Sequence, residues 1–487
     1  MRYLCRILAL VLAALSLPAQ LPSTVEALDK LHKGEWWLSH IVGDLLPWWN
    51  MQTALGTPIG KYPTTRCDDG ALYIVSRPCP EIRNNSWINP RNNYIVGISR
   101  QVYAYGVIFH VTGDPTWLDY MRAGVNEIRT DWIDREHGGM ATEWAAATNT
   151  YGPKPEWRDP QQLGYSLLGM SFYYYLTRDP EVLPDILAIK DFIFTRYYNP
   201  KLGAMQWLLE PQDATPAESL QLVAQLDQMN TYLVLLAPLL PEPHQSGWLN
   251  TLRSLCYIMM GKFYNPQQNL FFLSANKPED LDPRYTGVDF GHTAKALWMI
   301  RNTGLLTGDT DLIAFAETSA RRHLDRAFLA NNGSWAGGLL QGGVTDLDKS
   351  WWVYCELDQL AGTLALTDPS TARYLPQTHD YWLTYFVDHS TGEVWNGVDG
   401  KTNQPLKSLP KQWQWKNGYH SLEHALVSYI VCQQLKGEPV TLYYGFDHLP
   451  PDNLVRPYYY TGRIDASSAR PDDRGGSVWQ VVFRDVH

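Results

Sequence analysis

The chain has 487 residues, 45% of them hydrophobic, including 20 Trp and 29 Tyr. That length holds one large domain or two to three ordinary ones and buries a sizeable core. A formal charge of −10 with no basic run argues against a nucleic-acid partner.

The first 20 residues carry Arg2 and Arg6 ahead of an apolar run at 7 to 17, then small residues to Ala19. The run is too short to span a bilayer comfortably, so residues 1–20 are predicted to be a cleaved secretory signal, with a secreted or periplasmic product and no membrane anchor left. Residues 24 to 50 read as a helix. Cys67 and Cys79 then flank a loop rich in Asp, Gly and Pro, which in an oxidising compartment predicts a disulfide. Cys256, Cys355 and Cys432 sit in apolar runs and are expected to be buried thiols. There is no CxxC pair, and neither a metal nor a cofactor is expected.

From about residue 92 the chain repeats itself. An apolar helix meets a short Asp-containing turn (TGDPTWL at 112–118, TRDPEVL at 177–183, TGDTDLI at 307–313, TDPSTA at 367–372). A second helix follows, then a Gly-, Asn- and aromatic-rich loop that looks like a short hairpin. The period is about 64 residues, longer than common solenoid repeats, and each unit carries two apolar helices. Taking the N-terminal helix as the outer partner of the first inner one, this predicts an all-α (α/α)6 barrel over 24–445 with hairpin loops at its mouth. Inner helices are expected near 93–111, 161–177, 219–238, 291–304, 350–366 and 419–435. Beyond Tyr443 the pattern breaks, and 446–487 reads as a small β-rich appendage packed on the barrel.

Two inner helices open alike. Gly291-His292 starts one and Asn417-Gly418-Tyr419-His420 the other, each placing an imidazole in a first helical turn. The positive end of the helix dipole disfavours imidazolium there, so both rings are expected to be neutral bases. Matching points of the repeat are Arg100, Gln162, Asn230, His292, Glu356 and His420, separated by 62, 68, 62, 64 and 64 residues by subtraction. Equivalent positions of a ring face one cavity, so these six are predicted to converge, with Trp351, Trp352 and Trp415 offering faces for a sugar ring.

SRQVYAYG at 99–106, DPQQLGYSLLGMSFYYYLTRDPE at 159–181, GHTAKALWMI at 291–300, KSWWVYCELDQLAG at 349–362 and WKNGYHSLEHAL at 415–426 together resemble the N-acylglucosamine 2-epimerase superfamily. The resemblance covers most of 90–445. It implies an (α/α)6-barrel enzyme that epimerises or isomerises a small carbohydrate at C2, with His292 and His420 as its catalytic pair and Glu356 on the family's Glu. The chain departs from the family pattern at three places. Lys295 stands where the family has a Glu, Glu423 where it has an Arg, and Asn230 or a neighbour where it has a further His. The two reversed charges predict a structural ion pair, Lys295 with Glu423, within about 4 Å.

The chemistry implied is proton removal at C2 of a ring-opened sugar and its return through an enediolate, which needs two groups that titrate near working pH. Arg100 would hold the enediolate oxygen, with Gln162, Asn230, Glu356 and the tryptophans binding substrate. Two rival enzymes are conceivable. A hydrolase or lyase on the same fold would use carboxylates such as Glu356, Glu393 or Asp399, although the last two read as a solvated turn. His420-Ser-Leu-Glu423-His424 also matches the HxxEH zinc pattern. A sugar-binding protein without catalysis is the non-enzymatic alternative. The partner set is a small carbohydrate alone, on a monomer or homodimer.

Overall fold

The repeated aspartates are helix caps. Asp114, Asp309 and Asp368 each accept a backbone N–H of the helical segment that follows, and Asp179 accepts that of Glu181. Such a side chain satisfies one of the donors that a helix start leaves orphaned. Asp159, Asp289 and Asn417 do the same for three of the long apolar helices. Gly113, Arg178 and Gly308 end three of them in the left-handed conformation.

The computed structural model describes residues 21–83, 85–152, 158–209, 218–471 and 476–487. The expected signal segment, 1–20, lies outside them. Among the described residues, six inner helices form a closed ring: Ile95–Thr112, Pro160–Thr177, a third beginning at Leu222–Gln228, Phe290–Thr307, Trp351–Ala365 and Gly418–Leu435. The third continues through a π-helical turn, Met229–Leu233, into Val234–Leu236. The last inner helix packs on the first, which closes the barrel. These helices are buried almost all round, as their lack of a polar face requires. Outer helices such as Pro115–Glu127, Leu183–Tyr197, His244–Lys262 and Thr310–Ala327 cover them. The N-terminal helix Gly34–His40 packs chiefly on the last inner helix rather than the first, where the sequence placed it. It reaches the first through the continuing segment, where Tyr105 Oη donates to the Trp49 carbonyl at 3.0 Å. No helix of the described residues is long and apolar enough to cross a membrane.

Short antiparallel strands deliver the chain into the inner helices. Asn93–Tyr94 leads into Ile95–Thr112, Val288–Asp289 into Phe290–Thr307, and Lys349–Ser350 into Trp351–Ala365. Cys67 and Cys79 are disulfide-bonded with Cα atoms 6.0 Å apart, and the other three described cysteines are buried and free.

After the last inner helix comes a three-stranded antiparallel sheet in which Ser477–Arg484 lies between Val440–Tyr444 and Arg463–Pro471. Its first strand precedes residue 446, where the sequence reading began the appendage. The segment between strands does more than pack on the outside. Tyr458, Tyr459 and Tyr460 are buried among the inner helices. Tyr458 donates to Glu423 Oε1 at 2.6 Å, Tyr459 to the Asn230 carbonyl at 3.2 Å, and Tyr460 lies 2.9 Å from Thr363 Oγ1.

Candidate active site

The glycine ahead of each histidine makes room for a tryptophan. A Cβ on Gly291 would stand 2.6 Å from the Trp352 ring, and one on Gly418 2.8 Å from that of Trp49. Both helices therefore begin against an indole.

His292, the third residue of its helix, is held by the cap. Asp289 Oδ1 accepts its backbone N–H at 2.8 Å, and Oδ2 lies 2.7 Å from Nδ1. Burial opposes ionisation of Asp289, but the imidazole and backbone N–H groups keep its carboxyl below the usual range. The carboxylate thus accepts a hydrogen bond from Nδ1–H and leaves Nε2 for a ligand. His420, also third in its helix, has different neighbours. Its Nδ1 is 3.7 Å from Glu356 Oε1, and neither atom has a hydrogen-bond partner. Burial, then Arg100, Lys295 and Lys416, push its pKa well below that of a free imidazole, so the ring is neutral.

One layer deeper, the sixth residue of every inner helix is Arg100, Tyr165, Asp227, Lys295, Glu356 or Glu423. Lys295 Nζ donates to Asp227 Oδ1 at 2.7 Å and to Tyr165 Oη at 3.1 Å. Burial works against the ammonium, but Asp227, Tyr165 and Glu356 together outweigh it and its pKa is raised. The Arg100 guanidinium lies 3.9 Å from the Tyr165 ring centroid, with Nη1 donating to the Trp415 carbonyl at 2.7 Å. Glu356 Oε2 accepts from Trp298 Nε1 at 2.8 Å. Burial pushes Glu356 up to about 8, aided by Glu423 and opposed by Lys295. Burial likewise pushes Glu423 up to about 7, against its bond from Tyr458 and the nearby Lys295.

The two histidines, Arg100, Lys295, Asp227, Gln161, Tyr165, Trp351, Trp352 and Trp415 line one cavity of about 200 Å³. This is smaller than the ~300–1,000 Å³ of drug-sized sites. It suits a compact ring between indole faces.

Several sequence expectations are corrected here. Gln162 does not line the cavity: its amide bonds to Asp159 at 2.5 Å, and Gln161, one residue earlier, takes the place and donates to Asp227 at 2.8 Å. Asn230 is nearly a helical turn deeper than Asp227 and accepts from the Tyr419 hydroxyl at 3.1 Å. Glu356 stands behind His420 rather than in the lining. Lys295 and Glu423 do not form the expected ion pair, since one is bonded to Asp227 and the other to Tyr458. Gln161, Tyr165 and Asp227 went unread, and the signal that finds two of them is a shared sixth position once helix starts are known.

The HxxEH pattern does not converge. His424 faces away from His420, with Nε2 2.9 Å from Asp358 Oδ2 among Trp37, His379 and Trp382. Its neighbours Asp358 and His379 could share a metal ion with it, but the Asp358 carboxylate is already engaged by Trp335 and Thr378. Glu356, His420 and Glu423 form a second group whose ligand atoms lie within 4.8 Å of one another. Glu393, expected in a solvated turn, is buried and bonded to Trp49, Lys416 and Ser421, while Asp399 closes an exposed turn.

An (α/α)6 barrel with paired histidines, fixed cations and three indoles in one small cavity defines a carbohydrate-active enzyme. The family model of N-acylglucosamine 2-epimerase (GlcNAc 2-epimerase) matches residues 81–423, and the chain belongs to that family of sugar epimerases and isomerases. No curated protein sequence matches. Among solved structures, cellobiose 2-epimerase from Bacillus thermoamylovorans B4167 is similar at TM-score 0.67 and 16% identity, over 82% of this chain and 98% of that one. A D-mannose isomerase is similar at 0.66 and 15%, over 81% and 97%. An inactive variant of the alpha-1,6-mannanase of Salegentibacter sp. HEL1_6 is similar at 0.52 and 12%, over 82% and 99%. These likenesses show a common fold.

Proposed function

We propose that the protein epimerises a reducing sugar at C2, or converts it to the ketose, with His292 and His420 as the proton-transfer pair. The observation that carries this reading is that two differently anchored imidazoles line one cavity. Opening the sugar ring exposes an aldehyde that acidifies the C2 proton. One imidazole removes it, and the pair of electrons left on C2 delocalises into the carbonyl as an enediolate. For inversion the other imidazole, itself carrying a proton, delivers it to the opposite face of C2. For the ketose the first imidazolium returns its proton to C1 while the O2 proton passes to O1.

The enediolate oxygen needs positive charge that does not have to reorganise as it develops. Arg100 is pinned by the Trp415 carbonyl and stacked on Tyr165, and Lys295 is fixed by Asp227. Neutral His420 can accept a proton, and the anion forming beside it raises its proton affinity during the step. Trp351, Trp352 and Trp415 supply apolar faces for the sugar. The hydrolase reading is weaker, because Glu393 is fully engaged in buried bonds and Asp399 lies outside the cavity, its carboxylate closing a turn to Lys401 and Thr402. The Cys67–Cys79 disulfide supports a secreted or periplasmic location.

The test is proton exchange at C2 in D2O, followed by NMR, with cellobiose, mannose and N-acylglucosamine as first substrates. Loss of the C2 proton signal, with deuterium in its place and no cleavage product, is expected. His292→Ala and His420→Ala should each cut turnover by about 10²–10⁴-fold. Full turnover in either variant would refute the assignment.

A further inference from the structure

A second cavity, about 470 Å³ in volume, is at the opposite end of the barrel. It lies between the ends of inner helices and the segment that carries the three tyrosines. Leu249, Leu305 and Leu306 form apolar walls, while Asn302 and Arg456 provide polar groups. No aspartate or glutamate lines it.

Two side chains there lack the partners their chemistry calls for. Asn302 is 5% exposed, and its Nδ2 has no hydrogen-bond partner. A buried amide donor left unpaired costs about 1–3 kcal/mol. Arg456 donates from Nη2 to the Tyr459 carbonyl at 3.2 Å, and no described carboxylate pairs with it. Burial lowers its pKa to about 10, with the Tyr175 phenol opposing. Its backbone is held in place, since its carbonyl accepts from the Tyr175 and Tyr444 hydroxyls at 2.7 and 2.8 Å. Arg456 is half-buried and its side chain is bonded only to the Tyr459 carbonyl, so an anion entering the cavity would meet a guanidinium with donors to spare. Arg456 also lies beyond residues 81–423, so the family match does not account for it.

We propose that this cavity binds a small organic anion, with its carboxylate or phosphate on Arg456 and Asn302 and its body against Leu249, Leu305 and Leu306. Guanidinium meets either oxyanion through charge-assisted, two-pronged hydrogen bonds. The site is separate from the sugar cavity. Tyr459 forms part of its wall and packs on Trp298, the residue that donates to Glu356.

The experiment is calorimetric titration of the full chain with inorganic phosphate and, separately, with malonate. Saturable binding of one or both is expected, and the tighter of the two identifies the oxyanion. Arg456→Gln and Asn302→Leu should each weaken it at least about tenfold, the loss of one charge-assisted bond, while Arg463→Gln, on the exposed sheet, leaves it unchanged. If neither anion binds saturably, or if Arg456→Gln binds like the parent, the proposal fails; the second result would move the anion to Arg100 and Lys295. Should Arg456→Gln not fold, Asn302→Leu alone decides, because it fills the same space and removes the unpaired donor.

Discussion

His292 and His420 occupy the same position in their helices but depend on different neighbours. Asp289 both caps the helix and fixes the His292 tautomer, and two substitutions separate these roles. Asp289→Ala should lose about 1 kcal/mol of stability with the cap, along with turnover. Asp289→Asn keeps an oxygen for the backbone N–H, so denaturation should change little while turnover still falls. Equal stability losses in the two variants would contradict this. His420 instead faces Glu356, whose partner in charge is Glu423. Both carboxyls have folded pKa values raised from 4.5, to about 8 and about 7. On these two groups the folded chain therefore holds more protons than the unfolded one between those limits, and their contribution to stability falls as pH rises from about 4.5 to 8. Glu423→Gln keeps an acceptor for Tyr458 and removes one of the two titrations. Measured against the parent, its melting temperature should gain as pH rises over that range, and a constant difference would show that the pair is not linked to folding.

The inner helices owe their register to their first residues. Aspartate and asparagine caps set where a helix starts, and the start decides which residue stands sixth and reaches the axis. The third inner helix keeps this register as far as Asp227 and then passes through a π-helical turn, which contains Asn230. Gly291 adds a steric condition, because the Trp352 ring fills the place of a side chain. Gly291→Ala removes a flexible residue and would favour helix by ~1 kcal/mol in open space. Against the indole, overpacking should reverse the sign and cost about 1–3 kcal/mol. Urea denaturation measures it, and a stabilised variant would mean that Trp352 moves aside.

Across the whole molecule, the C-terminal tyrosines form the floor beneath the layer of charged groups that carries Glu356 and Glu423. Tyr458 reaches Glu423, and Tyr459 packs on Trp298 behind Glu356. At the N-terminal side, Cys67–Cys79 closes a loop of sequence separation 12, and Lys411 N bonds to Asp68 next to it. Restricting the unfolded chain by such a loop stabilises by about 2–3 kcal/mol. Cys67→Ser together with Cys79→Ser should lower the denaturation free energy by that amount and leave the C2 exchange rate unchanged at low temperature. Loss of activity in a still-folded variant would place the loop in the catalytic machinery.

The helical repeat, its closure as a barrel, the disulfide and the two histidines could be read without coordinates. Each is written in short-range chemistry: apolar spacing, caps, a glycine before each His, two cysteines around a turn-rich loop. Gln162 and Asn230 were misplaced because a repeat locates a residue only to within a helical turn, whereas lining a cavity depends on a single residue of register. The reversed charges at Lys295 and Glu423 suggested one pair, but each found its partner elsewhere. Asp227 is on another helix and Tyr458 comes from beyond the barrel repeat. Buried charges settle with whichever complementary group the packing brings nearest, and that distance exists only once the ring has closed. The entry of Tyr458, Tyr459 and Tyr460 into the barrel was invisible for the same reason, since their contacts lie on helices far away in the chain and nothing local marks a tyrosine as the floor of a distant cavity.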